Sequence, residues 1–129
     1  MKTLNDIFNL TPNRKPKTNN PITFRRDKLI RNINKQLQNI QDIQLGKKTS
    51  NNWFWINESN KFHLSIKYGK SEIELDKNKF SIVCENLKEI ETSLTKIKEL
   101  TYSGYFDLIL TEMSKDIRKN FKRSKSTTS

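Results

Sequence analysis

Apolar positions recur along this chain with two different periods, and the places where the period changes mark its elements. From about Phe24 to Leu45 the residues Ile30, Ile33, Leu37 and Ile40 are spaced by three and four, one stripe of an amphipathic helix, and Gly46 is placed to stop it. Between Trp53 and Cys84 the period falls to two. Phe62, Leu64, Ile66 and Tyr68 alternate with Lys61, His63, Ser65 and Lys67; after Gly69-Lys70 the alternation resumes as Ile73 and Leu75 against Glu72, Glu74 and Asp76. A two-residue turn at Gly69-Lys70 sets Ile66 against Ile73 and Leu64 against Leu75 on one face, and Lys67 against Glu72 and His63 against Asp76 on the other. A second turn at Lys77-Asn78 sets Leu75 against Phe80 and Ile73 against Ile82, with a fourth strand running through Cys84. Upstream, a loop at Glu58-Ser59-Asn60 places Ile56 beside Phe62 and Phe54 beside Leu64. The pattern predicts four antiparallel strands in a meander.

The helical period then returns. Asn86 is a good N-cap with Glu89 three residues on, and Leu87, Ile90, Leu94 and Ile97 form a stripe that ends at Ser103-Gly104. A last helix, from Tyr105 to about Arg123, carries Phe106, Ile109, Met113, Ile117 and Phe121 on one face. The expected fold is therefore α+β: an N-terminal helix, a four-stranded antiparallel meander, then two helices, a ββββα core in one domain over residues 24–123. Residues 124–129 read as a disordered tail. Residues 1–23 read as a docking peptide followed by a basic flexible linker. In the peptide, Leu4, Ile7, Phe8 and Leu10 have near-helical spacing over a length too short for a free helix, so it packs either on this protein's own core or in the groove of a partner.

Charge changes the picture because of where it lies. The 129 residues have a formal net charge of +11, which invites a polyanion. The chain is also rich in Lys, Asn and Ile and has no Ala, the bias of an AT-rich genome, so some lysines reflect codon supply. Residues 1–31 hold eight Lys and Arg against Asp6 and Asp27, or +6, and residues 114–129 hold six against Asp116, or +5. Residues 32–113 carry eleven of each sign and cancel. The excess sits in Arg25, Arg26, Lys28 and Arg31 at the start of the first long helix, in the Thr11–Thr23 linker, and in Arg118, Lys119 and Lys122 of the last helix. A cationic helix start opposes the helix dipole. That cluster, which continues to Lys35, reads equally as a phosphate-binding surface or as a solvated face.

Little in the chain points to catalysis. His63 is the only histidine and Cys84 the only thiol, with no Gly-rich phosphate loop and no metal-ligand spacing. A non-catalytic protein with no cofactor and no metal is expected; Cys84 reads as a buried small apolar residue. Trp53 and Trp55 are the sharper clue. They fall on the strand face opposite the core, beside Ser65 and His63 and near Lys61 and Lys67, where single-stranded bases could stack. The competing reading is that a helix or a second subunit covers them. The acidic residues Glu72, Glu74 and Asp76 argue against a nucleic-acid surface spread over the whole sheet. No apolar run is long enough to span a bilayer and no secretory leader is evident, so a cytoplasmic protein without a membrane partner is expected.

Four segments also carry a resemblance. Phe24-Arg25-Arg26-Asp27-Lys28-Leu29, Trp53-Phe54-Trp55, Ile66-Lys67-Tyr68-Gly69, and Gly104 with the helix to Phe121-Lys122-Arg123 resemble an uncharacterised family of small basic proteins from tailed phages and bacteria. The likeness covers most of the chain and implies a phage or mobile-element context in a bacterial host cell. More loosely, four antiparallel strands followed by a helix resemble the single-strand DNA-binding units of positive cofactor four and Whirly proteins and of purine-rich-element binders. That likeness implies a homodimer and transfers no residue. The leading expectation is a nucleic-acid-binding protein that prefers single strands, with single-stranded DNA the favoured partner and RNA left open. The alternative is a phage-encoded adaptor or inhibitor that docks on a host protein through Leu4, Ile7 and Phe8, or a minor structural protein.

Overall fold

A computed structural model gives the structure of the chain; it describes residues 2–15 and 20–126, with side chains of the last helix described as far as Asp116. The elements in order are α1 (Leu4–Ile7), α2 (Pro21–Gln44), β1 (Phe54–Ile56), β2 (Phe62–Ser65), β3 (Lys67–Tyr68), β4 (Ser71–Glu72), β5 (Ser81–Cys84), α3 (Leu87–Ser103) and α4 (Asp107–Ser126). The class is α+β. Residues 16–19 of the expected linker and 127–129 of the expected tail lie outside the described residues.

Helix α2 starts three residues earlier than the apolar stripe alone indicates, because Asn20 caps it. The Asn20 Oδ1 accepts from the N–H groups of Ile22 and Thr23, and Pro21 occupies the first helical position, where a missing N–H costs nothing. Its buried stripe is Leu29, Ile30, Ile33, Gln36, Asn39 and Ile40. Helix α3 packs along it with Ile90, Leu94, Ile97 and Thr101. Asn86 caps α3 by accepting from the Glu89 N–H at 2.9 Å, and the helix ends on Gly104 at φ +90°.

The sheet departs from the expected meander. Strands β1 and β2 pair as the loop predicts, Phe54 with Leu64 and Ile56 with Phe62, and Asn60 closes that loop at φ +61°. The Gly69-Lys70 turn also forms, with Lys67 opposite Glu72 and the Ile73 N–H donating to the Ile66 carbonyl. Beyond that bond the strand leaves. The opposite edge of β2 is taken by β5, with Leu64 against Ile82 and His63 against Val83, giving a three-stranded sheet of order β1-β2-β5 and a separate β3-β4 hairpin. Leu64 therefore does not face Leu75, and His63 does not face Asp76. A strand has only two edges, and β5 fills this one with Ile82 and Cys84 on the core face and Val83 outward. The Lys77-Asn78 turn survives as an isolated Asp76–Lys79 bridge, but it leaves Phe80 exposed.

Helix α4 keeps the described part of the expected stripe against the core and widens it: Phe106 is buried, Ile109 and Met113 pack on the core partly buried, and Leu110 is buried beside them. Polar ties to α2 hold the helix there. Arg26 grips Asp107 with two hydrogen bonds of 2.8 and 2.5 Å, and Arg25 donates to the hydroxyls of Ser114 and Thr111, each at 3.2 Å. A Cβ on Gly104 would lie 2.8 Å from the Arg26 Nη2 and 2.9 Å from the Asp107 Oδ2, so glycine serves both the left-handed cap and the ion pair.

The hydrogen bond from Arg26 holds the Asp107 carboxyl below its ordinary value, with the guanidinium's charge acting in the same direction. A group whose folded-state pKa is depressed adds stability above its unfolded value, near ~3.9 for Asp, and loses it as pH falls through the folded value. Wild-type protein should therefore lose thermal stability in acid more steeply than Asp107→Asn over about pH 5 to 3. Melting curves across that range check it; parallel pH profiles would remove the clamp from the account.

Candidate nucleic-acid interface

The site is built where α2 crosses the start of β1. Two amides on the buried stripe of α2 reach the strap that leads into the sheet. The Gln36 side chain accepts from the Trp53 N–H at 2.9 Å and donates to the Asn51 carbonyl at 3.0 Å. Asn39 donates to the Ser50 carbonyl and to the Asn52 side chain. The Trp53 carbonyl in turn accepts from the Ser65 N–H. These bonds fix Trp53 against α2, where it is 7% exposed and part of the core. The sequence parity that turned both tryptophans outward therefore places only Trp55 in solvent, at 44% exposure. The helix provides the cover over Trp53.

Trp55 lies on His63, with ring centroids 5.5 Å apart and planes 13° from parallel. The Asn57 Oδ1 accepts from the N–H groups of Ser59 and Lys61, so its amide nitrogen is the donor to the His63 Nε2 at 2.9 Å. That assigns an unprotonated Nε2, with the proton on Nδ1. The imidazole is thus oriented as a fixed backing for the indole. Val83 is paired with His63 and exposed, and the three side chains form an outward row across β1, β2 and β5.

Two adjoining hollows, of about 290 and 120 Å³, open beside Trp53 and share Asn51, Trp53 and Gly69 as walls. Lys67 and Lys70 line the first and Lys35 the second. Among the described residues, none of the side chains lining either hollow is a carboxylate. Lys28, Arg31 and Lys35 follow each other at spacings of three and four along α2, so they share one helix face. The Lys28 ammonium sits 4.8 Å from the centre of the Tyr68 ring. The cationic patch therefore combines a helix stripe with the β3-β4 turn.

Other residues expected at the site lie differently. Arg25 and Arg26 are half-buried ties to α4, and the charge of Arg26 is met by Asp107. Lys61 is exposed, 3.9 Å from Glu85. Arg118, Lys119 and Lys122 lie on the part of α4 whose side chains are outside the described residues. Lys70 and Asn32 were missed by sequence reasoning, which had Lys35 only as a member of the cationic cluster of α2. Only Gln36 and Asn39, polar residues in an apolar helical stripe, signalled that this stretch of α2 meets something polar.

The carboxylates of the former third strand are routed elsewhere. Glu72, Glu74 and Asp76 join Glu112 and Asp116 of α4 around a cleft of about 590 Å³ whose floor is apolar. They do not flank Trp55 in the sheet. No family model, curated protein or solved structure matches the chain. Among the described residues, no group of three or more His, Cys, Asp or Glu side chains could hold a metal ion, and no helix is long and apolar enough to cross a membrane. Cys84 is buried beside Ser93, and burial pushes its thiol pKa up.

Proposed function

We propose that the protein is a non-catalytic binder of single-stranded nucleic acid, single-stranded DNA in the first instance, with the homodimer as its working unit. The observation that carries this reading is the exposed Trp55 backed by His63, two residues along the chain from Trp53, which walls a lysine-lined hollow with no carboxylate among its described lining residues. A base stacks on the open face of Trp55. The backbone then runs past Trp53 toward Lys67, Lys70 and Lys35, with Lys28 and Arg31 beyond. Stacking on an aromatic side chain is sequence-tolerant, because every base has a π-face, and lysines neutralise phosphate without reading sequence. An unpaired strand exposes its bases for such stacking, whereas a duplex keeps them inside. The tryptophan and the lysines therefore select single strands together.

The test is Trp55→Ala, a substitution at a half-exposed position that leaves the core intact. Loss of one stacked base corresponds to about 1–3 kcal/mol, or roughly five- to 150-fold in affinity. Anisotropy of a labelled oligothymidylate should show that loss with little change in salt dependence. Unchanged affinity would remove Trp55 from the interface.

A further inference from the structure

The acidic cleft and the N-terminal arm are complementary surfaces of one chain. Leu75 and Phe80, from the segment after β4, and Leu108, Ile109 and Met113 of α4 give the cleft its apolar floor. Leu108 is 74% exposed, a large cost for an aliphatic side chain with nothing over it. Carboxylates from both walls form the rim, with Lys77 the single basic lining residue among the described residues. The volume of about 590 Å³ is within the range of clefts that enclose ligands.

The arm has the opposite character. Thr3 and Asp6 cap the single turn α1 through the Thr3 N–H to Asp6 Oδ2 bond at 2.9 Å. That turn puts Leu4, Ile7 and Phe8 on one side, and each of them, with Leu10, is more than half exposed. Lys2, Arg14, Lys15 and Lys17 flank this apolar group against the single acid Asp6. An apolar group between cations matches an apolar floor between carboxylates. In the single chain the arm and the cleft are both open.

We propose that residues 4–15 of one copy dock in the cleft between α4 and the β4 side of a second copy, each chain lending its arm to the other. Reciprocal exchange of an identical element gives a closed two-fold dimer and covers both unpartnered surfaces. The arm joins Pro21 of α2 through residues 16–20, so exchange tethers the lysine stripes of the two copies to each other. The inference does not depend on the nucleic-acid reading, because association is measured with no nucleic acid present.

Sedimentation velocity over a concentration series on the full chain, on Phe8→Asp and on Leu108→Asp tests it; both positions are exposed, so both variants keep the core. Wild-type protein should dimerise, and each variant should raise the dissociation constant by about tenfold or more, as when an aromatic or aliphatic anchor is lost from an interface. Mixing the two variants should restore a heterodimer, because the first keeps an intact cleft and the second an intact arm. A wild-type monomer at every concentration would overturn the proposal, and would leave the arm to a host protein or to its own chain. A dimer that neither variant weakens, or a mixture that fails to associate, would overturn it equally.

Discussion

Replacing Lys35 and Lys67 together by glutamine should flatten the salt dependence of single-strand binding by about 1.4 in the log–log slope, since each phosphate contact to a single strand contributes about 0.7. The corresponding loss in affinity is about 65-fold at ~50 mM salt and vanishes toward ~1 M, because the released counterions supply the free energy. Lys35 comes from α2 and Lys67 from β3, and they line adjoining hollows that share Trp53 as a wall. The same pair of substitutions at Lys88 and Lys96, both exposed on α3, is the control and should leave the slope close to wild type. Equal effects from the two pairs would mean that the protein binds through diffuse charge and not through this surface.

The largest loss of stability is expected from Leu64→Ala. Leu64 is fully buried and stands between Phe54 of β1 and Ile82 of β5, so truncation opens a cavity in the one strand that both neighbours share. Large-to-small substitutions of this kind cost about 2–5 kcal/mol, against a total of roughly 5–15 kcal/mol for a domain. Val83→Ala, on the exposed side of the same sheet, should stay within about 0.5 kcal/mol of wild type. Urea unfolding curves separate the two. A small effect at Leu64 would show that β5 does not pair where the structure has it.

The elements governed by local chemistry were legible in the sequence. Asn86 and Gly104 bound α3, the Glu58-Ser59-Asn60 loop sets the β1-β2 register, and Gly69-Lys70 sets that of the hairpin, because caps and turns depend on a few adjacent residues. The long-range choices were not. Leu75 and Ile82 both continue an apolar alternation, so period alone cannot say which of their strands takes the free edge of β2. In α4, Leu110 joins the stripe of Phe106, Ile109 and Met113, and the contact between Arg26 and Asp107, 81 positions apart, holds the helix in that place. Those two choices produced both surfaces of interest. The first removed the carboxylates from the face of Trp55, and the second set Leu108, Ile109 and Met113 along the acidic cleft.

The same reasoning explains why the basic residues divide. Arg25 and Arg26 looked like a phosphate-binding cluster because a cationic helix start does nothing for the helix itself. Their role in the structure is tertiary: guanidinium groups tie α2 to hydroxyls and a carboxylate on α4. Lys28, Arg31 and Lys35 follow along another face of the helix, and Lys35, more than two turns on, lines the hollow. Neutralised charge inside the fold and unspent charge at its surface are indistinguishable by counting.

Tryptophan fluorescence titration with unlabelled single-stranded oligonucleotides, at two salt concentrations and with a duplex of the same sequence in parallel, tests the central claim most directly. Trp55 is the exposed indole, so the account predicts saturable quenching by the single strand, an affinity that falls steeply as salt rises, and a much weaker response to the duplex. Absence of quenching together with an affinity indifferent to salt would contradict it.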